Sequence, residues 1–236
     1  MSSIYLIRHA QASFGDKNYD QLSDIGFRQA KILGDHLLLS GRPFDAVYHG
    51  TLNRQRQTAE TVMARHEKFG RELPASAVSD AFDEYDAIAV WDAYLPLMTE
   101  EDPSLKNEIK QIKTDKKIFQ KIFSRVMFRW ISGRYDMEGV PRWKDFKASV
   151  NEGLHRLMET HGAGSRIAVF TSGGPISLAI QQALDLSDKK TMELSWQVMN
   201  TSITHLKYKD GKMALAGFND IAHLKFTQNE ALLTYR

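Results

Sequence analysis

The chain has 236 residues, of which 42% are hydrophobic and 25% charged, with 31 basic side chains against 29 acidic ones and a net charge of +2. That composition supports a packed core and argues against disorder, and so even a charge balance gives no electrostatic footprint for a nucleic acid or a membrane surface. There is no cysteine, which excludes disulfides, thiolate catalysis and cysteine-ligated metals.

The opening MSSIYLIRH has an apolar run shorter than a secretory signal requires. No stretch approaches the roughly 20 apolar residues of a membrane helix, so a soluble, cytoplasmic protein is expected. Ile4 to Ile7 is a compact strand pattern. Ser23 is placed to cap a helix from about Asp24 to Leu39, closed by Ser40-Gly41. Phe44 to Tyr48 reads as a second strand, and Thr51 is placed to cap a helix running to about Arg65. Residues 75–84 suggest a short third strand that ends in an acidic turn.

Residues of about 86–142 break this strand–helix rhythm. One long helix is predicted from Ser104 to Ser132, lysine-rich on its polar face, with Pro103 at its start and Gly133 at its end. We expect a single domain over 1–236 with this helical block as an insertion. Helical spacing resumes over 143–160, followed by a strand at Ile167 to Phe170. Gly173-Gly174-Pro175 opens the next helix. Thr201–Tyr208 and Met213–Phe218 flank Lys209-Asp210-Gly211-Lys212, a hairpin signal. Strands alternating with helices predict an α/β fold with a mostly parallel sheet.

Several polar residues fall where such a sheet binds ligands, outside the carboxyl ends of its strands. Arg8 and His9 end the first strand. Arginine there holds an anion, and neutral imidazole attacks phosphorus near pH 7; a satisfied polar pair at a strand end is the competing reading. Arg54 falls in the first turn of the next helix, where an N-terminus and a guanidinium fork both favour phosphate. Arg56, two positions on, points elsewhere. Ser172 lies at the bend of VFTSGGPI. Without a G-x-S-x-G elbow it is not expected to be a nucleophile, which leaves a phosphate ligand or a turn residue. None of the eight histidines forms an H-E-x-x-H-like metal pattern.

Five segments, in order, resemble the histidine phosphatase superfamily in its phosphoglycerate mutase-like branch. LIRHAQAS, Leu6 to Ser13, is similar to LIRHGQ, with Ala10 for the glycine. LSDIGFRQA, Leu22 to Ala30, resembles LTxxGxxQA. TLNRQRQTAE, Thr51 to Glu60, resembles PLxRAxQTA. FDEYD, Phe82 to Asp86, resembles the short stretch that holds the acid, and VFTSGGPI resembles VxHGG, with Ser172 at the second histidine.

The resemblance implies a three-layer αβα fold with a helical cap. It implies His9 as the nucleophile that becomes phosphohistidine, Arg8 and Arg54 as phosphate ligands, and Glu84 as the proton donor. No metal or other cofactor is called for, because arginines neutralise the phosphoryl oxygens. Ser172 and the Gly173 amide would supply neutral donors where the second histidine is missing; His49 and His223 are candidate substitutes for it. Arg8 and Arg54 should keep His9 neutral, while Asp83, Asp86 and burial by Phe82 and Tyr85 should keep Glu84 protonated.

The implied activity is a phosphomonoesterase acting on a phosphorylated small molecule, with no nucleic-acid or membrane partner. A mutase and a phosphate-binding scaffold without turnover are the alternatives. ASFGDKN after the first motif lacks the Trp-Asn pair of the glycolytic branch, which counts against the mutase.

Overall fold

The computed structural model describes residues 1–13, 20–39 and 41–235. Ser40 of the expected helix stop, and 14–18 of the ASFGDKN segment, lie outside the described residues.

Six strands form one sheet in the order β3-β2-β4-β1-β5-β6. They are β1 (Ser2–Arg8), β2 (Ala46–His49), β3 (Ser76–Val78), β4 (Arg166–Thr171), β5 (Ile203–Lys209) and β6 (Lys212–Asp220). The first four in that spatial order pair in parallel, and β5 and β6 join antiparallel. The hairpin turn is Asp210-Gly211, both at positive φ, as a two-residue turn between right-twisted strands requires.

The central strands are buried on both faces, which is why they read as near-continuous apolar runs. On one face Ile7, Val47, Ala168 and Phe170 pack against Leu33 and Leu37 of α1 (Asp24–Leu39) and Ala59 and Val62 of α2 (Asn53–Lys68). On the other, Leu6, Ile167 and Val169 join Leu154 of α6 (Trp143–Thr160) and Ile176 of α7 (Gly173–Leu184). These are the three layers. Ser23 holds the start of α1 as expected, its hydroxyl accepting from Gly26 N at 3.0 Å. The start of α2 differs: Leu52, not Thr51, is the capping residue, and no side chain caps it.

The helical block departs most from the sequence reading. The single helix expected over 104–132 is two, α4 (Leu105–Ile109) and α5 (Lys116–Ile131), parted by turns over 110–114. Asp115 restarts the chain as an N-cap, accepting from Lys117 N and Ile118 N, and a local side-chain bond of that kind competes with a continuous helix. A further helix, α3 (Ala87–Glu101), precedes them, capped by Asp86. A short α8 (Asp188–Ser195) follows α7; it too was not anticipated. No helix among the described residues is long and apolar enough to cross a membrane.

Candidate active site

The adjacent central strands β1 and β4 end side by side. Arg8 is in register with Thr171, and His9 N donates to Thr171 O at 2.8 Å. This places His9 next to the Thr171–Gly174 turn across one strand spacing. Gly174 in turn meets the acidic segment: its N–H lies 3.1 and 3.2 Å from the two Glu84 carboxyl oxygens. A Cβ at position 174 would stand 2.1 Å from Glu84 Oε1, so glycine is required for this approach.

His9 is 4% exposed. Its Nδ1 lies 2.8 Å from Ala10 O. A carbonyl only accepts, so Nδ1 carries the proton and the lone pair is on Nε2. Burial, then Arg54, then Arg8, hold the imidazole well below its ordinary titration range. It is therefore neutral and nucleophilic at neutral pH. Its backbone is held from behind by Asn200 Nδ2, which donates to His9 O at 3.0 Å. Thr201 N donates to Arg8 O at 3.0 Å and to His9 O at 3.4 Å.

The two arginines are oriented differently. Arg8 donates to the Val198 carbonyl. Arg54, in the first turn of α2, pairs with Asp20 at 2.7 Å, and the other Asp20 oxygen accepts from Asn53 N at 2.8 Å. That bond sets the plane of the guanidinium fork. Both arginines act electrostatically on His9 and on Glu84, so the four side chains share one field.

Glu84 is raised above the usual carboxylate range, and burial is the leading cause. The Gly174 amide and both arginines pull the other way and are outweighed. The like-charge push expected from Asp83 and Asp86 is not among the causes. Asp83 is turned away, accepting from Thr51 N at 2.6 Å and Thr51 Oγ1 at 2.5 Å, and Asp86 is engaged in capping α3. Tyr85, next in the chain, packs its ring on Trp130 (4.9 Å between centroids) and Phe146 (5.6 Å). Asp83, Glu84 and Tyr85 thus leave this loop in three directions, and Glu84 meets Gly174.

Ser172 follows Thr171 at the N-cap position of α7 but caps nothing. It is fully buried, and its hydroxyl accepts from Gln55 Nε2 at 2.9 Å. Gly173 is likewise buried at the first position of α7. The candidate substitutes lie elsewhere. His49 is in register with Phe170, on the α1–α2 face, and its Nδ1 bonds Gly50 O at 2.6 Å. His223 bonds Thr201 Oγ1 at 3.1 Å and stacks obliquely on His36 at 5.4 Å. Burial, then His36, lower it to about 4. Among the described residues neither ring bonds His9, Arg8, Glu84 or Ser172; His223 stands one layer behind, through Thr201.

Arg56, assigned to the surface, pairs there with Glu60 at 2.8 Å. Arg125 and Arg129, on α5, pair with Asp102 and Glu101. No cluster of three His, Cys, Asp or Glu side chains able to hold a metal ion occurs among the described residues. Asp20, Gln55, Thr171 and Asn200 take part in the site and were not singled out from sequence. For Gln55 a signal existed, since the quoted pattern has alanine there; Thr171 lies inside VFTSGGPI, and Asp20 and Asn200 fall outside the quoted segments and carry none.

This fold, with its buried imidazole between two arginines at the sheet's carboxyl edge, is that of a phosphoryl-transfer class, and the family comparison agrees. The family model for the histidine phosphatase superfamily (branch 1) matches residues 4–221, and the chain belongs to that superfamily. Among solved structures it is similar to a phosphoglycerate mutase from Bacillus anthracis str. Sterne (TM-score 0.66, 16% identity, 97% of each chain covered). It is also similar to a phosphoserine phosphatase from Entamoeba histolytica in complex with phosphoserine (0.58, 17%, 95% of this chain and 100% of that one). A third is a mycobacterial glucosyl-3-phosphoglycerate phosphatase in complex with VO3 (0.62, 19%, 92% and 98%). No curated protein matches the chain.

Proposed function

We propose that the protein is a metal-independent phosphomonoesterase acting on a phosphorylated small molecule through a phosphohistidine at His9. What carries this reading is that His9 and the half-buried Glu84 are shifted in opposite directions within one site. Burial pushes the His9 imidazole down, toward the neutral form a nucleophile needs, and pushes the Glu84 carboxyl up, toward the protonated form a general acid needs, in the field of the same two arginines.

The chemistry runs in two balanced steps. His9 Nε2 attacks phosphorus in line; the N–P bond forms as the bond to the leaving oxygen breaks, and Glu84 gives that oxygen its proton. Glu84, now a carboxylate, takes a proton from water as that water attacks phosphorus and the N–P bond breaks. This returns neutral His9 and protonated Glu84 and releases phosphate. Arg8 and Arg54 neutralise the equatorial oxygens in both steps. We assign the helical block beyond residue 86 the role of a cap, since Trp130 of α5 packs on Tyr85 beside Glu84. Relatives of known structure include both a phosphatase bound to a phosphorylated amino acid and a mutase. A residence in the cytoplasm is part of this reading.

The test is phosphate release from an aryl phosphate in excess chelator. Native protein turns over, and brief mixing with labelled substrate traps an acid-labile phosphoenzyme; His9→Ala does neither. Transfer between phosphoglycerates without net release would replace the phosphatase by a mutase. Phosphate binding with no phosphoenzyme would sink both in favour of a scaffold.

A further inference from the structure

Two departures from the family patterns meet inside the molecule. Position 55 carries glutamine where the quoted segment has alanine, and position 172 carries serine where it has histidine. Gln55 and Ser172 are both fully buried. Gln55 Nε2 lies 2.9 Å from Ser172 Oγ and 2.9 Å from the carbonyl oxygen of Phe82. The direction of the amide follows from chemistry. The Phe82 carbonyl has no proton to give, so the NH2 end faces it, and Ser172 Oγ must then accept.

The room for this amide is made on two sides. A side chain longer than serine, leaving Ser172 Cβ along the same direction as Oγ, would run into Nε2. A Cβ at Gly50 would stand 2.0 Å from Gln55 Oε1 and 2.3 Å from Asp83 Oδ1. The Phe82 carbonyl takes a second donor, Thr171 Oγ1, at 2.6 Å. Phe82 is two residues ahead of Glu84. One buried carbonyl therefore ties the acid's segment to the helix that carries Arg54 and to the strand beside His9.

We propose that Gln55 is a positioning residue for the proton donor: with Thr171 it clamps the Phe82 carbonyl and so fixes where the Glu84 carboxyl stands against Gly174 and the leaving oxygen. Serine at 172 is the small partner that admits the clamp. This inference rests on the reading of Glu84 as the general acid.

Proton donation matters most for a poor leaving group, and that separates placement of the acid from general damage. The readout is kcat/KM, which reports phosphoryl transfer to His9 and not the later hydrolysis. In Gln55→Leu, kcat/KM for an alkyl phosphate should fall about 10²-fold, the scale of a displaced catalytic group. For an aryl phosphate whose phenol is strongly acidic it should fall by no more than a few-fold. Thr171→Val keeps a β-branched residue in the strand and removes the other donor. It should show the same selective loss to a smaller degree, and it carries the test if Gln55→Leu does not fold. Equal losses on the two substrates, or no loss on either, in a folded variant that still forms the phosphoenzyme would overturn the role of Gln55 and leave the proposed function standing. Native protein that forms no phosphoenzyme would overturn both.

Discussion

The strand-end site and the helical block of α3–α5 are built on opposite terms. At the site, polar groups are buried or half-buried and each is tied to backbone: Arg8 to Val198 O, the His9 ring to Ala10 O, and Glu84 to Gly174 N. In the helical block the buried side chains are apolar, among them Leu105, Ile122, Val126 and Met127. Its charges pair at the surface, as Lys121 does with Glu108 at 2.8 Å. Burial of charged or polar groups costs stability unless they are paired, whereas apolar burial stabilises by about 1.5–3 kcal/mol per large side chain. The difference teaches that stability is concentrated in one region and chemical poise in the other. Tyr85 joins them, since it neighbours Glu84 in sequence and packs on Trp130 of α5.

Substitutions should keep these two properties apart. Leu105→Ala empties a fully buried position in α4 and should cost about 2–5 kcal/mol in denaturant unfolding. Its kcat/KM should be unchanged well below the melting temperature; a shifted pH profile in this variant would break the separation.

Arg54→Ala should lower kcat about 10²–10³-fold, the scale of a lost transition-state donor, with little change in unfolding free energy. It should also move the residual pH profile. In the proposed reaction activity needs neutral His9, so it rises as pH climbs through a value below the ordinary 6.5. It needs protonated Glu84, so it falls as pH climbs through a value above the ordinary 4.5. Arg54 lowers both groups. Removing its charge makes the imidazolium less costly and the carboxylate less favoured, so both limbs should shift to higher pH together. Limbs that move in opposite directions would contradict the shared field.

Gly50→Ala puts a methyl group against Gln55 Oε1 and Asp83 Oδ1 and should cut kcat/KM about tenfold through a displaced acid segment. The smallest effect is expected from Lys121→Ala, which breaks an exposed ion pair and should change stability by no more than about 0.5 kcal/mol. A larger loss there would mean that the surface of the helical block has a structural role that its packing does not reveal.

Much of the site was legible because its chemistry is written in short contiguous runs. Arg8-His9 ends a strand and Arg54 opens a helix, so each falls at the sheet's carboxyl edge by its local pattern alone. The alternation of apolar strands with amphipathic helices set the parallel sheet in the same way. What failed were inferences about one segment from its immediate neighbours. Asp83 and Asp86 looked like the cause of the acid's protonation and are spent on Thr51 and α3. The periodicity over 104–132 looked like one helix, because hydrophobic spacing does not register that Asp115 caps a new one.

By itself the sequence determined the fold class, the imidazole with its two arginines, and the family to which they belong, since those depend on periodicity and on residues adjacent in the chain. Only the tertiary structure decided how they are poised. The burial that raises the Glu84 carboxyl, Asp20 against Arg54, and the Gln55 amide on the Phe82 carbonyl all join segments apart in sequence. Desolvation and hydrogen-bond geometry are properties of what surrounds a group in space, and a local run of residues does not contain them.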